Sequence, residues 1–286
     1  MDPLTFMILL AIGAVVGILG AMLGIGGGIL IVPLLTLGLN MPIHTAIAAS
    51  LISVIATSCA TATMTTGQEL VNIGLGMFLE TSTTLGAIAG AFVSLFLPFN
   101  ALAIVFIAVV LLSAYGMVRK TPSGTPVQGK GPAKATGPSP SRLDLSSTYY
   151  DAVQKATISY TPKNLKYGWG MSFFAGLISG IIGIGGGVIK VPAMNVLMKV
   201  PVKVAAATSN FMIGVTAVAS AYVFFTRGMV DVVSTSALLL GVFPGSILGF
   251  RLAYRANRVY LRYIFAIVLG VVAVLMAVKV LGIGGS

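Results

Sequence analysis

The chain spells nearly the same ten residues twice. Gly24-Ile-Gly-Gly-Gly-Ile-Leu-Ile-Val-Pro33 returns as Gly183-Ile-Gly-Gly-Gly-Val-Ile-Lys-Val-Pro192. Each copy sits in an apolar run long enough to enter a bilayer. Glycine in a helix costs about 1 kcal/mol relative to alanine. In hydrocarbon, irregular backbone persists only where protein buries it or where it lines a cavity. Two such breaks at matching positions of two halves point to a transporter-type binding site between them.

The duplication extends well beyond the glycines. At an offset of 159 the halves align without a gap, and 12 of 34 positions are identical between 17–50 and 176–209. Thr57 then pairs with Thr216, Val71 with Val230, Gly86 with Gly245, Gly90 with Gly249 and Phe106 with Phe265. Each half holds five apolar segments: 4–23, 27–39, 43–66, 71–97 and 100–118, then 168–182, 186–198, 203–226, 231–250 and 260–282. The second segment of each half, at about 13 residues, reaches only roughly 20 Å, short of the ~30 Å hydrocarbon core. It is therefore expected to be a half-helix or re-entrant element.

With 57% hydrophobic and 8% charged residues and a mean hydropathy of +1.03, the chain is too poor in charge for a soluble domain. Its continuous apolar runs exclude a β-barrel, which alternates. The expected fold is an all-α polytopic membrane protein of two repeats. The run from Leu4 lacks a basic n-region and reads as a mature helix rather than a signal peptide.

The net charge of +11 is localised. Eight of the 17 Lys/Arg fall between Arg119 and Lys166, and Arg251, Arg255, Arg258 and Arg262 form a second group. The repeat partner of that second group, near Pro98–Asn100, carries no charge. Equivalent loops thus face opposite sides under the positive-inside rule, which makes the repeats inverted. Both termini are then expected outside and the linker inside. Three divisions follow: a first transmembrane repeat over 1–118, a basic Pro-rich linker over 119–167, and a second repeat over 168–286. The linker holds five of the 13 prolines within 119–141, a composition that favours disorder. Residues 143–161 are more mixed and fit a segment lying on the membrane surface. Nothing outside the linker suggests nucleic-acid binding.

Helices starting after the glycines would present unpaired amides and a positive dipole end to an oxyanion. Gly26, Gly27, Gly28, Gly185, Gly186 and Gly187 are therefore candidate anion contacts. The alternative is close helix packing, the reading adopted for Gly20, Gly24, Gly86, Gly90, Gly241, Gly245 and Gly249. Pro33 and Pro192 are candidate hinges, since each frees a carbonyl. Ser50, Thr208, Ser209 and Asn210 are candidate polar contacts, against the alternative of interhelical hydrogen bonds. Lys190 replaces Ile31 of the first half and either balances an anion or snorkels to an interface. Glu80 stands opposite Leu239 and either carries a proton or pairs with Lys190. Asn72 and Asp231 match at helix starts, where capping is the simpler account. The lone Cys59 excludes an intramolecular disulfide and reads as a small buried side chain.

At these residues the chain resembles the TauE/SafE family of sulfite exporters, also called the toluene sulfonate uptake permease family. The resemblance rests on the paired G-x-G-G-G-x-x-x-V-P motifs, each followed by a proline (Pro42, Pro201) and an alanine-rich stretch ending in Ser50 or Ser209. It implies a secondary transporter of sulfite, thiosulfate or an organosulfonate such as sulfoacetate, in the plasma membrane, with export as the implied direction. Alternating access about a midplane site is the expected mechanism, with membrane lipid and a coupling proton or ion as further partners. A passive anion channel and a membrane scaffold or sensor acting through the linker are the alternatives. No P-loop, metal-ligand cluster or nucleophile–base pair is visible, so the chain is read as a non-enzyme without cofactor.

Overall fold

The computed structural model describes residues 2–23, 26–65, 71–118, 145–151, 156–253 and 258–281. The first half contains α1 (Pro3–Leu23), α2 (Gly28–Pro33), α3 (Ile43–Thr65), α4 (Ile73–Phe96) and α5 (Phe99–Val118). The second contains α6 (Leu165–Ile182), α7 (Gly187–Pro192), α8 (Val202–Thr226), α9 (Val232–Ala253) and α10 (Arg258–Val280). Between them lies an antiparallel hairpin of β1 (Ser147–Asp151) and β2 (Ala156–Tyr160), with Ser147 opposite Tyr160.

Local chemistry sets the helix ends. The Asn72 side chain accepts the Leu75 amide at 2.9 Å and caps α4, while Asp231 accepts the Val233 amide at the start of α9. Capping, the simpler reading of both, is what they do. Past Pro33 and past Pro192 the helix loosens into one π-helical turn, Leu34–Gly38 and Ala193–Leu197. Proline has no N–H to close the regular ladder, so the same residue produces the same change in both halves.

The halves pack reciprocally. α1 lies along α9 as α6 lies along α4, α3 crosses α8, and α5 meets α10. Glycines make these contacts close. A methyl group at Gly86 would stand 2.1 Å from the Phe173 carbonyl oxygen, and one at Gly245 2.4 Å from that of Ala14. Phe173 and Ala14 are themselves repeat partners, so one contact is built twice. The packing role read for Gly86, Gly90, Gly241, Gly245 and Gly249 agrees with these approaches; Gly20 instead meets the glycine loop at Gly27, and Gly24 lies outside the described residues.

α1, α3, α4, α8 and α9 are long and apolar enough to cross a membrane. Leu4, Met7, Phe96, Tyr222 and Phe225 are exposed around the bundle, whereas Ser50, Thr57, Thr208, Ser209 and Thr216 are buried. Apolar residues outside and hydroxyls inside suit a lipid-facing surface. The chain is an α-helical, multi-pass membrane protein.

One reading needs correction. Cys59 is exposed on α3; its burial was inferred from habits in water, but lipid makes an outward thiol inexpensive. α6 begins at Leu165, a little ahead of the apolar segment read from residue 168. Within the segment read as mixed, 147–151 and 156–160 pair as the hairpin, with Tyr149 and Tyr160 buried. Residues 119–144 lie outside the described residues.

Candidate functional site

The glycine loops adopt backbone that other residues resist. Gly26 and Gly27 have φ of 81° and 74°, and Gly183, Gly185 and Gly186 have 75°, 83° and 73°. Only glycine enters this left-handed region without a Cβ penalty. The turn reverses the chain. After α7 the chain returns to where α6 began: the Lys163 amide donates to the Met198 carbonyl at 2.9 Å, and Asn164 Nδ2 to that of Leu197 at 3.1 Å. The stretch from α6 to Met198 therefore begins and ends at the same end of the bundle.

The two loops meet. Ser50 Oγ, on α3, lies within hydrogen-bond reach of the carbonyls of Gly28 at 3.1 Å and Gly183 at 2.8 Å, one loop from each half, with a single proton to share between them. Val54 and Ile213, repeat partners, each lie beside both Gly26 and Gly185. A methyl group on Gly28 would stand 2.7 Å from the Gly183 oxygen, so the absence of a side chain permits the meeting. Gly28 and Gly187 open α2 and α7, whose first amides have no acceptor within their own helix.

Beside this junction, Gly20, Gly26, Thr57, Ser58, Thr61, Asn210 and Ile213 line a narrow cleft with no room for a water molecule. Ser58 Oγ donates across it to the Asn210 carbonyl at 2.6 Å. Near the second loop, the buried hydroxyls of Ser179 and Ser209 have no hydrogen-bond partner among the described residues. Ser209 Oγ would lie 3.4 Å from a methyl group on Gly187. Unpartnered buried hydroxyls are costly, and each calls for an explanation.

Lys190 does not snorkel. It is 1% exposed, with Nζ 3.5 Å from Glu80 Oε2 and donating to Thr216 Oγ1 at 2.7 Å. Thr216 Oγ1 lies 2.6 Å from Glu80 Oε1, and Thr84 donates to the same carboxylate oxygen at 3.2 Å. The carboxylate comes from α4 of the first half, the ammonium and hydroxyl from the second. Thr216 is the repeat partner of Thr57, which lines the cleft. The matching place in the second half is thus occupied by an ion pair.

The structure brings together most of the residues singled out by sequence. Gly26–Gly28, Gly185–Gly187, Ser50, Ser209 and Asn210 lie at or beside the junction. Thr208 turns elsewhere, its Oγ1 accepting the Asn72 amide at 3.1 Å. Pro33 and Pro192 sit at the change from α- to π-helix. Ser179 was missed; its one signal is that the repeat has Gly20 in its place.

A family model described as "Sulfite exporter TauE/SafE" matches residues 9–276. The chain belongs to the TauE/SafE sulfite exporter family. Among curated relatives, the "Probable membrane transporter protein YunE" of Bacillus subtilis is 29% identical over 254 residues, covering 86% of this chain and 88% of its own. A "Probable membrane transporter protein" of Haemophilus influenzae is 28% identical over 288 residues, covering 96% of each chain. YdhB of Bacillus subtilis, also a probable membrane transporter protein, is 22% identical, with 91% of this chain and 93% of its own covered. No solved structure shows a significant match. A TauE/SafE protein is a membrane transporter, and the glycine junction lies within the matched region.

Proposed function

We propose that this TauE/SafE protein is a secondary transporter of a small sulfur-containing oxyanion, sulfite, thiosulfate or an organosulfonate such as sulfoacetate, exporting it across the plasma membrane. The observation that carries the reading is the meeting of two glycine loops from opposite halves at Ser50. Backbone amides at the starts of α2 and α7 would receive the anion's oxygens. Asn210, Ser209 and Ser179 would replace part of its hydration. The family's name supports a sulfur oxyanion over other anions.

Alternating access fits the cleft, which is too narrow for water and must widen for any ion to enter. Pro33 and Pro192 are the proposed hinges. The re-entrant second half supports inverted topology: α3, α4 and α5 then cross the membrane between two glycine excursions, an odd number. The linker is placed in the cytoplasm with both termini outside, because the basic residues cluster there.

Lys190 already has a counter-charge. For it to serve the anion, Glu80 must give it up, and a proton taken by Glu80 keeps the buried charge constant. Proton coupling through this pair is part of the proposal. Glu80→Gln is expected to flatten the pH dependence of flux; an unaltered profile removes the coupling role.

Binding of sulfite, thiosulfate and sulfoacetate to the purified protein, by thermal shift and then calorimetry, tests the site. Stabilisation by one of them, lost in Gly186→Leu and weakened in Asn210→Ala, is expected. A folded protein indifferent to all three refutes the substrate class. Saturable, gradient-coupled flux in proteoliposomes separates a carrier from a channel, which would give conductance instead.

A further inference from the structure

The hairpin is bound into the bundle more firmly than a covalent tie requires. Tyr149 and Tyr160 stack edge to face, with ring centroids 6.4 Å apart. Both belong to one apolar cluster with Leu75 and Leu79 of α4, Met194 beyond α7, and Val204 and Met212 of α8. Asn72 fastens the assembly. Its Nδ2 donates to the Leu145 carbonyl and to Tyr160 Oη, each at 3.0 Å, while its amide reaches Thr208 on α8.

The surface beneath is specialised. At the repeat positions of Leu75, Val204 and Met212 stand Ser234, Thr45 and Ser53. Three apolar residues replace three hydroxyls where the hairpin docks. Depth adds a second argument. Leu79 directly precedes Glu80, Met194 lies one turn past Lys190, and the Met212 carbonyl accepts the Thr216 hydroxyl at 3.0 Å. On all three elements, the cluster that holds the tyrosines reaches to the ion pair.

We propose that the paired strands β1 and β2 are a gate at the end of the bundle where α6 begins. Docked, it seals the approach between α4, α7 and α8 to Glu80 and Lys190; undocking opens that approach. Its role in transport rests on the transporter reading above, but the opening itself is measured separately.

The test uses the full chain in proteoliposomes with Cys59→Ala and a reporter, Met212→Cys, under the hairpin. A hydrophilic maleimide is supplied to both faces. Tyr160→Phe deletes only the hydroxyl bonded to Asn72, and Tyr149→Ala with Tyr160→Ala removes both rings. Tryptic cleavage at Lys163 reports whether the hairpin has left, and thermal unfolding reports that the bundle is intact. The gate predicts slow labelling in the parent, severalfold faster labelling in Tyr160→Phe, and at least tenfold faster labelling in the double variant. Rapid labelling of the parent, or unchanged labelling in a folded variant whose Lys163 has become cleavable, overturns it. A protein whose reporter opens as predicted but which binds no sulfur oxyanion retains the gate and loses the substrate. One that transports thiosulfate with a reporter indifferent to the hairpin retains the substrate and loses the gate.

Discussion

Lys190 and Glu80 stand 110 positions apart in the chain and 3.5 Å apart in space, with Thr216 bonded to both. Their repeat partners, Ile31 and Leu239, are apolar. The repeat-equivalent positions, one in each half, therefore carry the uncharged form of the pair. Removing one member of a buried pair strands the other charge and typically costs about 3–5 kcal/mol, whereas replacing both with apolar residues is often neutral. Lys190→Ile is expected to lower the thermal midpoint sharply, and Lys190→Ile with Glu80→Leu to recover most of the loss. Equal destabilisation in both proteins would show that the pair does not act as a unit. The double variant should still lack pH-dependent flux.

Among the described residues, Ser50 is the one side chain within hydrogen-bond reach of carbonyls in both glycine loops. Ser50→Ala leaves the Gly183 carbonyl without that donor, at a cost of about 1–3 kcal/mol for a buried group. Ser53→Ala is the comparison. Among the described residues its hydroxyl bonds to Ala49, one turn back on the same helix. Differential scanning of the two variants should place the larger shift at Ser50, and anion affinity should fall in that variant alone.

Gly186 has φ of 73°, and a methyl group there would lie 3.1 Å from the Ala175 carbonyl oxygen. Gly186→Ala should cost roughly 1–2 kcal/mol for the left-handed backbone. Gly170, in α6, has open space where a Cβ would stand. Gly170→Ala should be neutral or slightly stabilising, since alanine is the better helix former. Chemical denaturation of both in detergent micelles distinguishes conformational demand from glycine loss in general.

Cys59 faces outward from α3. Cys59→Ala should stay within about 0.5 kcal/mol of the parent, as surface substitutions do, and should leave anion flux unchanged. A loss of flux in a stable Cys59→Ala protein would give the thiol a role that its position does not suggest.

Much of the bundle was legible because the chain states it twice. The gap-free offset fixed which segments correspond, and the short segments after the glycines declared themselves by length. Lys190 and Glu80 were conspicuous as charges in apolar runs, so their pairing was among the readings weighed. The meeting of the loops at Ser50 was not legible in detail, since a serine on a membrane helix more often bonds back to its own turn. The hairpin was hidden for another reason. Its tyrosines are buried by side chains from α4, α8 and the turn beyond α7, and a low-hydropathy stretch gives no local sign of so distant a partner. Cys59 was misplaced because burial statistics assume water outside.

The ion pair also constrains how this sequence can change over time. A first substitution at either Lys190 or Glu80 alone exposes the lineage to a stranded charge, and the route back to Ile and Leu passes through that intermediate. The two halves are thereby held apart in sequence at this place. With one charge contributed by each half, the pair cannot be undone one residue at a time.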